Sequence, residues 1–224
     1  MGENLRRLRL RIASAAALAG RDAASITVLA VSKGHGAETL RAALAAGLTA
    51  FGENYVDEAL PKIQALREAR PVWHFIGRPQ ANKTRTLAEQ FDWVHGVDRP
   101  RIAERLSAQR PFHAPPLNLC VQVNVAGEAT KGGVTPEQAP ELLDAIAALP
   151  RLKLRGLMCM LPFDLSEPEQ RAGFARLRAL LEAAQARGHA LDTLSMGMSD
   201  DFEAAIREGA TLLRIGSALF GARG

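Results

Sequence analysis

Lysine is rare in this sequence, with five among 224 residues, so each one can be considered separately as a reactive amine. Lys33 directly follows the apolar run "ITVLAVS" and precedes a glycine, which places its amine at the end of a predicted buried strand. The other lysines fall in predicted helices, before a strand and in the loop "GEATKGG": Lys62, Lys83, Lys153 and Lys131. An amine at a strand end is either a solvated terminus or a nucleophile, and Lys33 is the candidate nucleophile.

Two glycine-containing segments near the end of the sequence could hold an anion. In "SMGMSDD" (195–201) a predicted strand stops at glycine and Ser199 begins a helix, and in "RIGSALFG" (214–221) Gly216 and Ser217 follow a strand. Each segment offers backbone N–H groups and a hydroxyl, which attract an anion at a helix N-terminus. Capping of its own helix is the other use that Ser199 could have.

A primary amine opposite a phosphate site is what pyridoxal 5'-phosphate (PLP) requires, because its aldehyde forms a Schiff base with lysine. Arg214 lies in the last predicted strand, where its cation could point across the site toward the pyridine nitrogen. An arginine there keeps this nitrogen unprotonated and weakens the ring as an electron sink. Carbanion chemistry would therefore be poorly supported.

The elements that must position these residues alternate along the whole sequence. Short apolar runs predict strands at 25–32, 50–54, 72–77, 93–97, 118–125, 154–160, 193–197 and 212–219, with seven helical patterns between them. This order predicts one α/β domain over residues 1–224, a (β/α)8 barrel of TIM type, with an open doubly wound sheet as the alternative. Barrel active sites lie at the carboxyl ends of strands, and phosphate sites often follow strands seven and eight.

The remaining composition excludes several classes of partner. The N-terminal segment is rich in arginine like a transit peptide, but Leu5, Leu8 and Ile12 are spaced as in a packed helix, so we expect an extra N-terminal helix. No apolar run reaches the roughly 18 residues that span a membrane. The net charge of +4 is spread without a basic block, so nucleic acid is not expected. Cys120 and Cys159 lie in apolar strands, which predicts reduced thiols in a cytoplasmic protein.

Five segments of the sequence resemble a known family. "AVSKGHG", "FGENYVDEALPKI", "WHFIGRPQANK", "LRGLMCM" and "LDTLSMGMSDDFEAAIREGATLLRIGSALFGAR" together extend over nearly the whole chain. In combination they look like the pyridoxal phosphate homeostasis proteins, also called the YggS or PROSC family. The resemblance implies a barrel like the N-terminal domain of alanine racemase that carries PLP without established turnover, and is therefore not classed as an enzyme.

The resemblance also implies which residues bind PLP. Lys33 would form the Schiff base and Arg214 would face the pyridine nitrogen. The phosphate would be held by Ser199, Gly216 and Ser217, and the pocket would be lined by Asn54 in "GEN" and His74 in "WHF". No metal is expected.

The segment after Lys33 departs from the family pattern. The family usually reads "SKTKP" there, whereas this sequence has "SKGHG" at 32–36, so a second lysine is missing. If that lysine moves the cofactor on or off, His35 would have to substitute for it. The expected ligands are PLP and other vitamin B6 vitamers, with PLP-dependent apoenzymes as candidate recipients, and a closed barrel without strand edges favours a monomer.

Two enzymatic alternatives stay open. A PLP-dependent racemase or lyase of low activity could use Lys33 as its base, but a two-base racemase needs a second acid and the sequence has one tyrosine, Tyr55. Tyr55 would lie near the pocket or pack at the start of the next helix. A metal-dependent barrel hydrolase could use His74, His95 and Glu53, although no H-x-H or H-x-x-x-H pair supports it.

Overall fold

Eight parallel strands close into a barrel in the computed structural model of the chain, which describes residues 1–128 and 132–221. Each strand pairs with the next one along the sequence, and the first pairs with the eighth. The strands are β1 (Thr27–Val31), β2 (Ala50–Glu53), β3 (Val72–Phe75), β4 (Trp93–Val97), β5 (Leu117–Gln122), β6 (Leu152–Met158), β7 (Thr193–Ser195) and β8 (Leu212–Ile215). The predicted (β/α)8 barrel is confirmed, and the open sheet is excluded because β1 and β8 pair.

Helices surround the barrel, and one connects each strand to the next. They are α1 (Gly2–Leu18), α2 (Ala37–Ala45), α3 (Val56–Ala65), α4 (Thr84–Gln90), α5 (Pro100–Gln109), α6 (Ala139–Ala147), α7 (Glu167–Ala186), α8 (Phe202–Arg207) and α9 (Ser217–Phe220). Buried apolar residues of the helices and of the outward strand faces form the main core. All seven helices predicted between strands are confirmed, since α2 to α8 occupy these positions.

The extra N-terminal helix is also confirmed. Leu5, Leu8 and Ile12 of α1 are buried, as their helical spacing predicts. The Asn4 side chain donates a hydrogen bond to the carbonyl oxygen of Leu219, at 3.0 Å. This bond ties α1 to α9 near the end of the described chain.

Two details of the sequence-based interpretation are corrected, and a third is not tested. The eighth strand ends at Ile215 and not at residue 219, because Gly216 leaves the extended conformation and its carbonyl accepts the N–H of Leu219 in α9. Lys153 lies within β6 and not before it. Lys131 lies outside the described residues.

The barrel interior carries buried polar side chains on several strands. Residues paired in a parallel sheet point to the same face, so Arg214 lies beside Leu29 and His74 beside Trp93. His95 follows Trp93 by two residues and shares that interior face. TIM barrels usually fill this space with branched apolar residues, so these polar groups must satisfy one another.

Other expectations concern membranes and thiols. Across the described ranges, no helix combines the length and the apolar character that crossing a membrane requires. Cys120 and Cys159 are both free and buried. Burial raises the pKa of each thiol to about 12, so neither is a thiolate at neutral pH.

Candidate functional site

A cavity of about 390 Å³ opens at the carboxyl ends of the strands, on the face where barrels carry their active sites. Residues from loops after β1, β2, β7 and β8 line it. Six of the seven predicted site residues are among them: Lys33, Asn54, Ser199, Arg214, Gly216 and Ser217. The sequence therefore brings together residues that are up to 184 positions apart, from Lys33 to Ser217.

Lys33 occupies a tight turn immediately after β1. The N–H of His35 donates to the carbonyl oxygen of Ser32 at 3.1 Å, which closes the turn around Lys33 and Gly34. Gly34 has a φ of +79°, the left-handed conformation that glycine adopts readily at the third position of a type II turn. The turn presents the half-buried Lys33 side chain to the cavity.

A second lysine lies buried behind this turn. Lys62 of α3 donates from Nζ to the carbonyl oxygen of Ser32 at 2.9 Å and to Oε1 of both Glu53 and Glu58 at 2.7 Å. These bonds engage all three donors of an ammonium group. Lys62 therefore has no lone pair to offer an aldehyde, and it does not compete with Lys33 as a nucleophile.

The two carboxylates around Lys62 also bond to the residues on each side of Lys33. Glu53 Oε1 accepts the hydroxyl of Ser32 at 2.5 Å, and Glu58 Oε1 accepts the N–H of Gly34 at 2.5 Å. Burial raises the pKa of Glu53, against the opposing effect of the hydrogen bonds from Lys62 and Ser32. Lys33 thus stands between two anchored residues, Ser32 and Gly34.

The loops after β7 and β8 meet at one wall of the cavity. The hydroxyl oxygen of Ser199 accepts the backbone N–H of Ala218 at 3.2 Å, and Gly216 and Ser217 lie next to this bond. Ser199 does not cap α8, since that helix begins at Phe202 and its cap residue is Asp201. The hydroxyl is instead directed at the neighbouring loop.

Gly197 shapes this wall. It has a φ of +93°, and a Cβ there would lie 2.7 Å from Cβ of Ala205 and 2.9 Å from Cδ2 of Leu213. Its carbonyl oxygen accepts the N–H of Arg214 at 2.9 Å. Only glycine satisfies both the backbone conformation and the close packing, so this residue fixes the path of the loop that carries Ser199.

Arg214 is buried at the inner end of the cavity. Its Nη1 donates to the carbonyl oxygen of Ser195 at 2.5 Å and to the Ser195 hydroxyl oxygen at 2.9 Å, and its Nη2 donates to the carbonyl oxygen of Cys159 at 2.7 Å. Burial lowers the pKa of Arg214, but the ordinary pKa of a guanidinium is so high that the group stays protonated. The cavity that Lys33 lines therefore also holds a fixed cation.

His74 does not line the cavity as the sequence-based assignment expected. It lies two residues before Ile76, whose side chain does line it, and so sits deeper in the barrel. His74 Nδ1 is 2.9 Å from His95 Nε2, and its ring stacks on Trp93 with 5.1 Å between centroids. Burial lowers the pKa of His74 to about 3 and holds that of His95 well below its ordinary value, so both rings are neutral.

Asn54 gives a direct test of whether these residues fit PLP. Among the described residues, its side-chain oxygen Oδ1 is buried without a hydrogen-bond partner, although Asn54 borders the cavity. A buried acceptor of this kind needs a donor, which a ligand in the cavity or an ordered water can provide. The ring hydroxyl of PLP is such a donor, the hydroxyls of Ser199 and Ser217 suit its phosphate, and Lys33 supplies the amine, so the residue set fits.

Comparison with known proteins places the chain in a family. The family model described as alanine racemase, N-terminal domain, matches residues 4–224. The pyridoxal phosphate homeostasis protein of Pseudomonas aeruginosa is 56% identical over 223 residues, which cover 100% of this chain and 96% of that protein. The chain belongs to the pyridoxal phosphate homeostasis protein family. The protein of that name from Escherichia coli strain K12 is 47% identical over 227 residues, covering 100% of this chain and 97% of its own.

A solved structure of this family extends the comparison to the fold. PipY of Synechococcus elongatus PCC7942, determined with PLP bound, is 37% identical to this chain and superposes with a TM-score of 0.83. The match covers 94% of this chain and 100% of PipY. The resemblance read from the sequence motifs is therefore confirmed at the level of family and fold.

Sequence reasoning did not identify the residues that support the site. Lys62 and Glu58 were placed only in a helical pattern, and Ser195 only in a strand. A buried lysine four positions after a glutamate in "DEALPK" was the available signal for the Lys62 cluster, because charged side chains are rarely buried unless paired. Ser195 gave no such signal, since its role depends on the barrel closing.

The three residues of the alternative metal site already bond to other side chains in the structure. His74 and His95 bond to each other, whereas Glu53 bonds to Lys62 and Ser32. Within the ranges described, no group of three metal-ligating side chains is found. The metal-dependent hydrolase therefore receives no support.

Proposed function

We propose that this chain binds PLP in the cavity as a Schiff base on Lys33 and acts in intracellular PLP homeostasis by holding and releasing the cofactor. The lining of one cavity by Lys33 together with Ser199 and Ser217 carries the proposal. Support comes from the relatives named pyridoxal phosphate homeostasis protein and from the PLP in PipY. Ligand binding of this kind needs no further domain.

PLP would supply an aldehyde that condenses with the Lys33 amine, releasing one water, and hydrolysis by one water restores both groups. Residues of this chain bind and orient the cofactor. Ser199, Gly216 and Ser217 bind the phosphate, and Asn54 Oδ1 accepts the ring hydroxyl. The anchored turn around Lys33 holds the amine toward the carbonyl, so fewer orientations must be lost when the bond forms.

Three features favour a carrier over a catalyst. Arg214 donates toward the ring nitrogen and keeps it unprotonated, which limits the ring as an electron sink. Tyr55, the one tyrosine, is 66% exposed and does not line the cavity, so it neither packs as expected nor provides an acid on the second face. Phe163 lines the cavity yet is 77% exposed, which marks an open mouth that admits water.

The cellular setting is part of the same proposal. PLP and related B6 vitamers are the ligands, and PLP-dependent apoenzymes are the recipients. We place the protein in the cytoplasm because both cysteines are free, as expected where thiols stay reduced. A monomer is proposed because the closed barrel leaves no sheet edge to pair with a second copy.

A spectroscopic titration tests the proposal. Apo protein titrated with PLP should develop the visible absorbance of a lysine Schiff base, and Lys33→Ala should lack it. Lys83→Ala is the matched control, because Lys83 pairs with Asp57 at 2.6 Å outside the cavity. An unchanged band in Lys33→Ala would contradict the assignment. Exchange of the α-proton of an amino acid in deuterated buffer, if dependent on Lys33, would instead favour the racemase or lyase.

A further inference from the structure

Four buried polar side chains form a continuous hydrogen-bond network through the barrel interior. Arg214 Nη1 lies 2.9 Å from Ser195 Oγ, which lies 2.8 Å from His95 Nδ1. His95 Nε2 in turn lies 2.9 Å from His74 Nδ1. One end of this interior network is Arg214 at the cavity, and the other is a histidine that no ligand in the cavity would touch.

The chemistry of each group fixes the direction of the hydrogen bonds. A guanidinium has only donors, so Arg214 must donate to the Ser195 oxygen. The Ser195 hydroxyl is fully buried and has one proton, for which His95 Nδ1 is the acceptor within reach. The opposite direction would leave that hydroxyl proton buried without a partner, which is costly.

The direction continues into the two histidines. If His95 Nδ1 accepts from Ser195, the proton of this neutral ring is on Nε2, and it is donated to His74 Nδ1. His74 is then also protonated on Nε2. Burial, the neighbouring histidine and the Arg214 cation all lower the pKa of His95, so a second proton on that ring is disfavoured. Each of the four side chains in the network therefore has a single protonation state and a single set of donor and acceptor roles.

The guanidinium is held from two strands at once. Three of its five N–H groups are engaged by Ser195 and by the carbonyl oxygen of Cys159. The remaining donors are available to an acceptor in the cavity. The Ser195 hydroxyl donates to His95 and cannot rotate to another partner without losing that bond. The histidines therefore hold the serine hydroxyl in one orientation, and the hydroxyl oxygen in turn holds the Arg214 guanidinium.

We propose that Ser195, backed by His95 and His74, is a positioning residue that holds Arg214 as a fixed donor to the ring nitrogen of PLP. The inference rests on the proposed function, because it concerns the ligand of the same cavity. It assigns a purpose to two buried histidines that neither bind a metal nor line the site. It also predicts that the ring nitrogen stays unprotonated because the network supplies a hydrogen bond there but no mobile proton.

The apo protein provides the first test, which does not depend on PLP. Long-range proton–nitrogen NMR on histidine-labelled protein should find both His74 and His95 protonated on Nε2. Ser195→Ala should convert His95 to a mixture of tautomers, and Ser195→Thr, which keeps the hydroxyl, should restore the single form. Protonation of His95 on Nδ1 in the wild-type protein would reverse the network and overturn the inference, even if Ser195→Ala failed to fold.

The second test uses PLP labelled with ¹⁵N in its ring. Wild type and Ser195→Thr should show the resonance of an unprotonated, hydrogen-bonded nitrogen. Ser195→Ala should shift that resonance and weaken PLP binding about tenfold, the effect of one lost hydrogen bond. Thr193→Ala is the control, because this hydroxyl lies on the same strand but donates to Asp192. An unchanged resonance and affinity in Ser195→Ala would overturn the inference.

The two proposals fail in different ways. A wild-type protein that forms no Schiff base with PLP would overturn the proposed function, and with it the ligand role of the network. A normal Schiff base together with an unaltered ring-nitrogen resonance in Ser195→Ala would overturn only the network. The apo tautomers and the visible absorbance therefore separate the two results.

Discussion

Lys62 Nζ lies 2.9 Å from the carbonyl oxygen of Ser32, the residue directly before Lys33. One lysine of this chain thus anchors the backbone that presents another. Because Lys62 also pairs with two carboxylates, it links the turn to Glu53 and Glu58 while its own amine stays hydrogen-bonded. The two lysines have different roles although each lies near the end of its element.

Removal of the buried cation should destabilise the fold. Lys62→Met leaves Glu53 buried beside a second carboxylate without a counter-charge, which costs about 3 kcal/mol or more of the free energy of unfolding. Urea denaturation of the apo protein measures it. Lys83→Met removes only an exposed pair with Asp57 and should cost less than about 1 kcal/mol.

A double substitution gives this prediction its control. Glu53→Gln combined with Lys62→Met removes one carboxylate together with the cation, so it should be more stable than Lys62→Met alone. Equal stability of Lys62→Met and Lys83→Met would show that the cluster contributes nothing.

Substitution of Gly197, in the loop that carries Ser199, should destabilise the fold for a steric reason. Gly197 and Gly188 have similar φ angles, +93° and +97°, but only Gly197 has neighbouring atoms where a Cβ would lie. Gly188→Ala should cost about 1 kcal/mol of backbone strain. Gly197→Ala should cost about 1–3 kcal/mol more through overpacking, and it should weaken PLP binding. Equal unfolding free energies of the two variants would refute the steric explanation.

The two serines of the wall should each contribute modestly to PLP retention. Ser199→Ala and Ser217→Ala should each weaken binding by about 1 kcal/mol, the value of one hydrogen bond. Equilibrium dialysis against PLP gives the dissociation constants. If the double variant retained PLP as well as wild type does, the phosphate would have to lie elsewhere in the cavity.

The buried histidines should make stability depend on pH. Burial lowers the pKa of His74 from 6.5 to about 3. Between these two pH values the unfolded chain binds a proton at His74 that the folded chain does not bind. Its contribution to the free energy of unfolding is complete above pH 6.5 and is lost as the pH falls toward 3. The slope is up to about 1.4 kcal/mol per pH unit for each histidine.

Matched variants isolate this effect. Urea denaturation of His74→Gln between pH 6.5 and pH 4 should show a shallower loss of stability than wild type. His113→Gln, at an exposed histidine, should keep the wild-type slope. Parallel slopes in all three proteins would mean that His74 is not held neutral by burial.

The fold could be predicted from the sequence because its signals are local. Each strand is a short apolar run, and each helix shows its own periodicity, so the order of elements already implied a barrel. The end of the eighth strand was missed, since "RIGSAL" continues the apolar pattern although Gly216 turns the backbone into α9. Side-chain pattern alone does not report a change of backbone direction.

The site was predictable only in part. Residues that line the cavity, such as Lys33 and Ser199, follow strand ends that the pattern locates. Supporting contacts depend on residues that are distant in sequence, such as the bond of Ser195 to His95, and on the direction of a side chain on its strand. His74 was misplaced for that reason, because one strand position separates the cavity from the barrel interior.

Peptide mapping after borohydride reduction tests the central claim most directly. Borohydride converts a Schiff base to a stable secondary amine, which mass spectrometry can locate on the digested protein loaded with PLP. The account predicts a single modified peptide, the one that contains Lys33, and no label on Lys62 in wild type or in Lys33→Ala. A label at any other lysine as the main product, or no reducible label at all, would contradict it.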